Sequence, residues 1–203
     1  MQRGAEYSIM SGAIELMNSR LSGSEEALAT LSAVRIGGRP RARILIGGLG
    51  MGFTLRAALG AFGLDAQIVV AELVPAVVAW ARGPMAHLSA GCLDDPRVTI
   101  HARDVSGLIS APDAHFDAVL LDVDNGPGGL SRQENDRLYS KAGLQAARAA
   151  LAPGGLLAVW SAGPNAEFAR RLATAGFGVE EHKVRATKSG RGARHVIWIG
   201  TAP

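Results

Sequence analysis

The chain carries a single cysteine, Cys92, in 203 residues. It therefore forms no disulfide within itself, and a lone thiol fits a reducing compartment, which points to the cytoplasm. Cys92 stands in a loop with no motif around it, so it reads as a small packing residue rather than a nucleophile. No apolar run approaches the ~18 residues that a membrane helix requires. The opening MQRGAEYSIMSGAIELM has no clean apolar block of the kind a secretion signal carries. Histidines are scattered, His87 and His101 on separate elements, and no metal is expected. Excess charge is scarce too: the formal net charge is +3, carried mainly by arginine, which makes no demand for a nucleic-acid partner. What remains, 48% hydrophobic and 19% charged, suffices for one globular domain with an ample core.

The most informative segment is 43–59, RILIGGLGMGFTLRAAL. A short apolar run meets Gly48-Leu49-Gly50-Met51-Gly52 and then a helix-like stretch: strand, glycine turn, helix. Glycine admits dihedrals that other residues avoid and lets a ligand approach the backbone closely. A helix starting behind the turn aims its N–H groups and positive dipole end at that ligand. Three acids recur at equivalent places. Glu72 closes the apolar run 67–71, where doubly wound sheets place an acid that accepts both ribose hydroxyls. Asp104 follows the run 97–101, where an adenine amino group is met, and Asp122 ends the run 116–121. Each acid alone also suits a helix cap. Together they mark the carboxyl ends of successive strands, where open α/β sheets bind ligands.

Helices are expected near 9–19 and 24–36, the second opening on Ser24-Glu25-Glu26 with Ser24 as its N-cap. Beyond a break at Gly37-Gly38-Arg39-Pro40, strands near 43–47, 67–72, 97–101, 116–122 and 155–161 alternate with helices near 52–62, 74–82, 104–110 and 139–151. Such alternation argues a parallel sheet. Pro153-Gly154-Gly155 reads as the turn before the fifth strand. A helix near 165–175 precedes two strands, 177–185 and 194–200, too close for a crossover and so antiparallel. Arg39, Arg41 and Arg43 read as a solvated approach to the first strand. Lys183, Arg185, Lys188, Arg191 and Arg194 surround the last hairpin tip, either a solvated loop or a basic arm over the cleft.

The dinucleotide fingerprint needs glycines at i, i+2 and i+5. From Gly48 the third position is Phe53, and from Gly50 it is Leu55, which disfavours an NAD-dependent oxidoreductase. The compact Gly-x-Gly-x-Gly form resembles that of class I S-adenosylmethionine-dependent transferases. After the fourth strand the chain reads Asp122-Val123-Asp124-Asn125-Gly126-Pro127, then Leu138-Tyr139-Ser140. With ILIGGLGMGFTLR, Ala71-Glu72-Leu73 and Arg103-Asp104, this resembles the spermidine synthase family.

That resemblance implies an α/β, Rossmann-like fold: a seven-stranded, mostly parallel sheet ending in an antiparallel hairpin, with helices on both faces. The expected organisation is a short N-terminal helical extension, 1–41, and a cofactor-binding transferase domain, 42–203. It implies S-adenosylmethionine or its decarboxylated form as cofactor. Gly48, Gly50, Met51 and Gly52 would cradle it, Glu72 and Leu73 would meet the ribose, and Asp104 and Val105 the adenine. Asp122, with Asp124 and Tyr139, would face a small amine and help remove its proton. The reaction would be alkyl transfer, aminopropyl or methyl, with a plain methyltransferase or a catalytically weakened partner subunit as alternatives. The family also implies an N-terminal β-strand domain and an oligomer, a homodimer in the simplest case; here two helices are expected instead. Met51 stands where the family has an aspartate beside the aminopropyl tail, so its presence should remove a filter against the carboxylate of intact S-adenosylmethionine. Asn125 replaces a second acid, and Trp160 a glutamine, adding an apolar wall to the acceptor pocket or filling core.

Overall fold

The computed structural model describes residues 1–123, 126–127, 137–187 and 192–203. The chain opens with a small antiparallel sheet, β1 (Gln2–Arg3), β2 (Glu6–Ser11) and β3 (Ile14–Asn18). This corrects the expected helix over 9–19. Met10, Ile14 and Met17 do recur at helical spacing, but Gly4 and Gly12, at φ 61 and 59, open two-residue loops that fold the chain into hairpins. The N-terminal extension therefore begins as β-sheet, and only then forms the expected helix α1 (Gly23–Ile36). Ser22, not Ser24, takes the N-cap position of α1.

The main sheet comprises β4 (Arg43–Gly47), β5 (Gln67–Ala71), β6 (Val98–His101), β7 (Phe116–Leu121), β8 (Leu151–Ser161), β9 (Gly178–Arg185) and β10 (Arg194–Thr201). Its order is β6-β5-β4-β7-β8-β10-β9. Strands β4 to β8 pair in parallel, and β10 pairs antiparallel with both β8 and β9. The chain turns back on itself between β4 and β7, the switch point where such sheets bind ligands. Strand β8 starts earlier than expected. Its ladder with β7 jumps from Phe116↔Leu151 to Ala118↔Leu156, so Pro153-Gly154-Gly155 stands out as a bulge rather than preceding the strand.

Alternation along the strands divides the core. Ile44, Ile46, Ile68 and Val70 face α1, α2 (Phe53–Ala61) and α3 (Pro75–Arg82), which contribute Leu28, Leu55 and Val77. Leu45, Val119, Leu121 and Val159 face the other way, toward α5 (Val105–Ile109), α6 (Lys141–Ala149) and α7 (Ala166–Thr174). Strands buried on both faces read as continuous apolar runs, as RILIG and FDAVLL do. Each fully buried Ile or Leu contributes about 1.5–3 kcal/mol. A third, smaller cluster joins Met51, Phe53 and Met85 to Tyr7, Ile9 and Met17 of the N-terminal sheet, which anchors that sheet beside the glycine turn. Between α3 and α5, a short α4 (Ala86–Ser89) carries His87, whose ring packs 5.4 Å from that of Tyr7. At the opposite end of the sheet Arg39 is not merely solvated: it pairs with Asp117 at 2.9 Å and donates to the carbonyls of Pro153 and Gly154. No helix among the described residues is long and apolar enough to cross a membrane.

Candidate active site

The glycine turn leaves β4 and is pressed between neighbours. A Cβ at Gly48 (φ +91) would collide with the carbonyl oxygen of Asp122, and one at Gly50 (φ +50) would lie 2.5 Å from the Met17 methyl. At Gly48 a side chain is thus excluded by conformation and by space; at Gly50 the conformation alone excludes it, since the flexible Met17 end gives way. The turn floors a cleft of roughly 470 Å³, roofed by the N-terminal hairpin. That volume suits a nucleoside-sized ligand.

Glu72 follows β5, with a residue exposure of 7%. Its Oε2 accepts from the Leu49 N–H at 2.9 Å and its Oε1 from the Val74 N–H at 2.8 Å. The carboxylate therefore ties the glycine turn to the entry of α3. Each oxygen keeps a second lone pair for a ligand hydroxyl. Asp104 caps α5, its Oδ1 accepting from the Ser106 N–H at 2.7 Å, and it also lines the cleft. Capping α5 thus leaves this carboxylate at the cleft wall. Gly48, Gly50, Leu73 and Val105 line the same cleft, so a nucleoside cradle of the expected kind fits the residues present.

Three expected residues are placed elsewhere. Met51 does not line the cleft; it is 1% exposed and points into the apolar cluster under the N-terminal sheet. Gly52 likewise lies behind the turn, as the N-cap of α2. Tyr139 is 2% exposed, packed edge-on against Phe168 in the core before α6, and does not line the cleft. Asp124 and Asn125 lie outside the described residues. Of the basic stretch around the last hairpin, Lys183, Arg185 and Arg194 are exposed, and Lys188 and Arg191 lie outside the described residues.

The far half of the cleft is built around Asp122. Thr54, in the first turn of α2, donates to Asp122 Oδ2 at 2.6 Å. Burial nevertheless holds the Asp122 carboxyl above the ordinary carboxylate range, the Thr54 bond opposing. Glu25 of α1 lines the same space, and burial followed by the nearness of Asp122 raises its carboxyl as well. Ser24 is fully buried and donates to Glu25 Oε2 at 2.7 Å. Its Oγ also lies 2.8 Å from Nδ1 of His195. Trp160 of β8 closes the wall, edge-on to His195 at 4.8 Å between ring centroids. It therefore borders the cleft rather than serving only as core.

Sequence reasoning missed Glu25 and His195. Glu25 had a signal: with Leu28, Ala29 and Ser32 it falls on the buried stripe of α1 at i, i+3, i+4 and i+7. His195 had none in its neighbourhood. It opens β10, and because β10 runs against the other strands, its beginning lies where their carboxyl ends do. Cys92 is buried, which pushes its thiol up to about 11 and makes it a poor nucleophile.

Comparison with known proteins follows the same outline. A polyamine aminopropyltransferase of Mycobacterium tuberculosis is 37% identical over 124 residues, 60% of this chain and 23% of that protein. The chain thus spans about a quarter of the length of the curated relatives it matches. A spermidine synthase from Thermotoga maritima superposes with a TM-score of 0.74 at 20% identity, covering 94% of this chain and 63% of that one. A probable spermidine synthase from Corynebacterium glutamicum gives 0.65 at 16% identity, covering 97% and 72%. Identities this low speak for the fold alone. The model of the spermine/spermidine synthase domain matches residues 24–169, from the helix carrying Glu25 to α7, and by that match the chain belongs to the spermine/spermidine synthase family.

Proposed function

We propose that this chain transfers an aminopropyl group from decarboxylated S-adenosylmethionine to a small cationic amine. The observation that carries the reading is the sign of the cleft. Glu15, Glu25, Glu72, Asp104 and Asp122 line it, against Arg103 and His195 among the described residues, on a chain whose net charge is positive. Such a cleft concentrates cations and disfavours a carboxylate. With Met51 turned away, any filter against intact S-adenosylmethionine resides in these acids.

Glu72 and Asp104 would hold the nucleoside, and Glu25 and Asp122 would face the transferable chain and the acceptor. When bound, the sulfonium supplies a carbon already activated for displacement. The protein's share is to orient the amine and remove a proton from it. Asp122 suits that task, because a carboxylate raised toward neutrality is a better base at neutral pH. Thr54 fixes which oxygen of Asp122 is engaged.

The test is to supply intact and decarboxylated cofactor with a panel of mono- and diamines and identify the thioether released. Methylthioadenosine with an alkylated amine supports the proposal. S-adenosylhomocysteine would indicate a methyltransferase instead, a reading for which Arg103 is the sole arginine lining the cleft among the described residues. Binding without any thioether release would indicate a partner subunit.

A further inference from the structure

We propose that Glu25, Ser24 and His195 form a proton exit for the acceptor half of the cleft, Glu25 meeting the amine beside Asp122 and Ser24 carrying the proton on to His195. The inference rests on the amine-acceptor reading above. Transfer to a protonated amine must dispose of one proton per turnover. The nitrogen loses a proton and its lone pair forms the new C–N bond. The C–S bond breaks with its pair on sulfur, so the sulfonium becomes a neutral thioether and the product amine keeps one positive charge. The remaining charge leaves as the proton.

That proton has to quit a cleft roofed by the N-terminal hairpin. The geometry supplies a route. Ser24 Oγ lies 2.7 Å from Glu25 Oε2 and 2.8 Å from His195 Nδ1, and Ser24 is wholly shielded from solvent. A hydroxyl donates one bond while accepting another. A protonated Glu25 therefore gives its proton to Ser24 Oγ as Ser24 gives its own to Nδ1. The imidazolium so formed releases the Nε2 proton to water at the partly exposed side of His195. Rotation of the hydroxyl, together with exchange of the imidazole through solvent back to its Nε2–H tautomer, restores the starting arrangement. Trp160, edge-on to the imidazole, holds its plane.

Burial, with Asp122 beside it, raises the Glu25 carboxyl to about 7, and burial lowers the His195 imidazole from its usual 6.5, so the step onto His195 runs uphill and is drawn forward by release of the proton to water. Among the described residues, the other charged groups near the route are few. Asp122 stands beside Glu25 in the cleft; Glu26, next on α1, pairs with Arg56 of α2 at 3.0 Å. Arg185 of β9 and Arg194 of β10, opposite each other at the strand ends, are exposed.

The experiment compares wild type with Ser24→Ala, His195→Asn and Glu25→Gln. Asparagine can still hydrogen-bond Ser24 but cannot carry a proton. Transfer should fall roughly tenfold or more in Ser24→Ala and His195→Asn, on the scale of lost proton-transfer catalysis. Methylthioadenosine affinity should stay within about twofold, and added imidazole should restore part of the rate in His195→Asn. Full activity with an unaltered pH–rate profile in His195→Asn would overturn the relay. A second readout needs no turnover. The NMR titration midpoint of the His195 imidazole should move in Ser24→Ala and in Glu25→Gln, and an unmoved midpoint in both would likewise overturn it. A moved midpoint in a protein that alkylates no amine with either cofactor form would overturn the amine-acceptor reading, and the exit role with it.

Discussion

Replacing Glu72 by glutamine should damage the fold and the cofactor site together. The carboxylate accepts the Leu49 and Val74 N–H groups at 2.9 and 2.8 Å from a position only 7% exposed. Glutamine keeps one acceptor oxygen and turns an NH2 toward the other N–H. One bond to a charged group, worth about 1.5–3 kcal/mol, is lost, and a shielded donor is left facing a donor. A net destabilisation of about 2–4 kcal/mol follows, which for a chain of this length lowers the melting temperature by roughly 5–15 °C. Ligand binding should weaken as well, because a ribose hydroxyl loses a charged acceptor, by about 10- to 100-fold. Thermal unfolding and calorimetric titration with methylthioadenosine read the two effects separately. A variant that melts like wild type and binds with unchanged affinity would refute both roles. A lower melting point with unchanged affinity would leave Glu72 as scaffold only.

Asp122→Asn should leave methylthioadenosine affinity nearly unchanged while turnover on the preferred amine falls by ~10²-fold, the loss expected for a general base; normal turnover would move the role to Glu25. Met51→Asp should act on stability rather than on cofactor choice, since it places an unpaired carboxylate among Phe53 and Met85; a loss on the order of 3 kcal/mol is expected in chemical denaturation, with Met51→Leu close to neutral. The raised carboxyls of Glu25 and Asp122 set a pH dependence. Their unfolded values are 4.5 and 3.8 and their folded values are higher, so the native state binds more protons between these limits. Stability from this pair is therefore greatest below the unfolded values and declines as pH rises toward neutrality. Glu25→Gln should flatten that decline, which melting curves across the acid range would reveal.

The main sheet was readable because its chemistry is repetitive. RILIG, QIVVA and FDAVLL are apolar on both faces and are bounded by glycine, acids or proline, so each announces a strand buried between helices. Glu72, Asp104 and Asp122 could be placed at the cleft because a parallel strand delivers the residues that follow it to the carboxyl end of the sheet. The N-terminal sheet was not, since residues 9–17 satisfy both a period of two and a helical spacing, and only the Gly-Ala pairs at 4–5 and 12–13 break the tie. Met51 was misjudged for a related reason. Gly50 and Gly52, both at positive φ, rotate the backbone on either side of it, and the side chain turns from the cleft into apolar packing. His195 required knowing that β10 enters the sheet reversed, which is a property of topology rather than of local sequence.

That reversed strand divides the cleft by the order in which its parts can be made. The proposed nucleoside half draws on the glycine turn, Glu72 and Asp104, all within 48–105, from parallel strands adjacent in sequence. The proposed acceptor half includes the contact between Ser24 and His195, which are 171 positions apart. Closing so long a loop is entropically costly, so this contact depends on the rest of the sheet being in place. Nucleoside binding and transfer chemistry should therefore part company during unfolding. Loosening β10 from β8 would silence transfer while the nucleoside cradle persists, leaving a protein that still binds its cofactor but no longer acts on it.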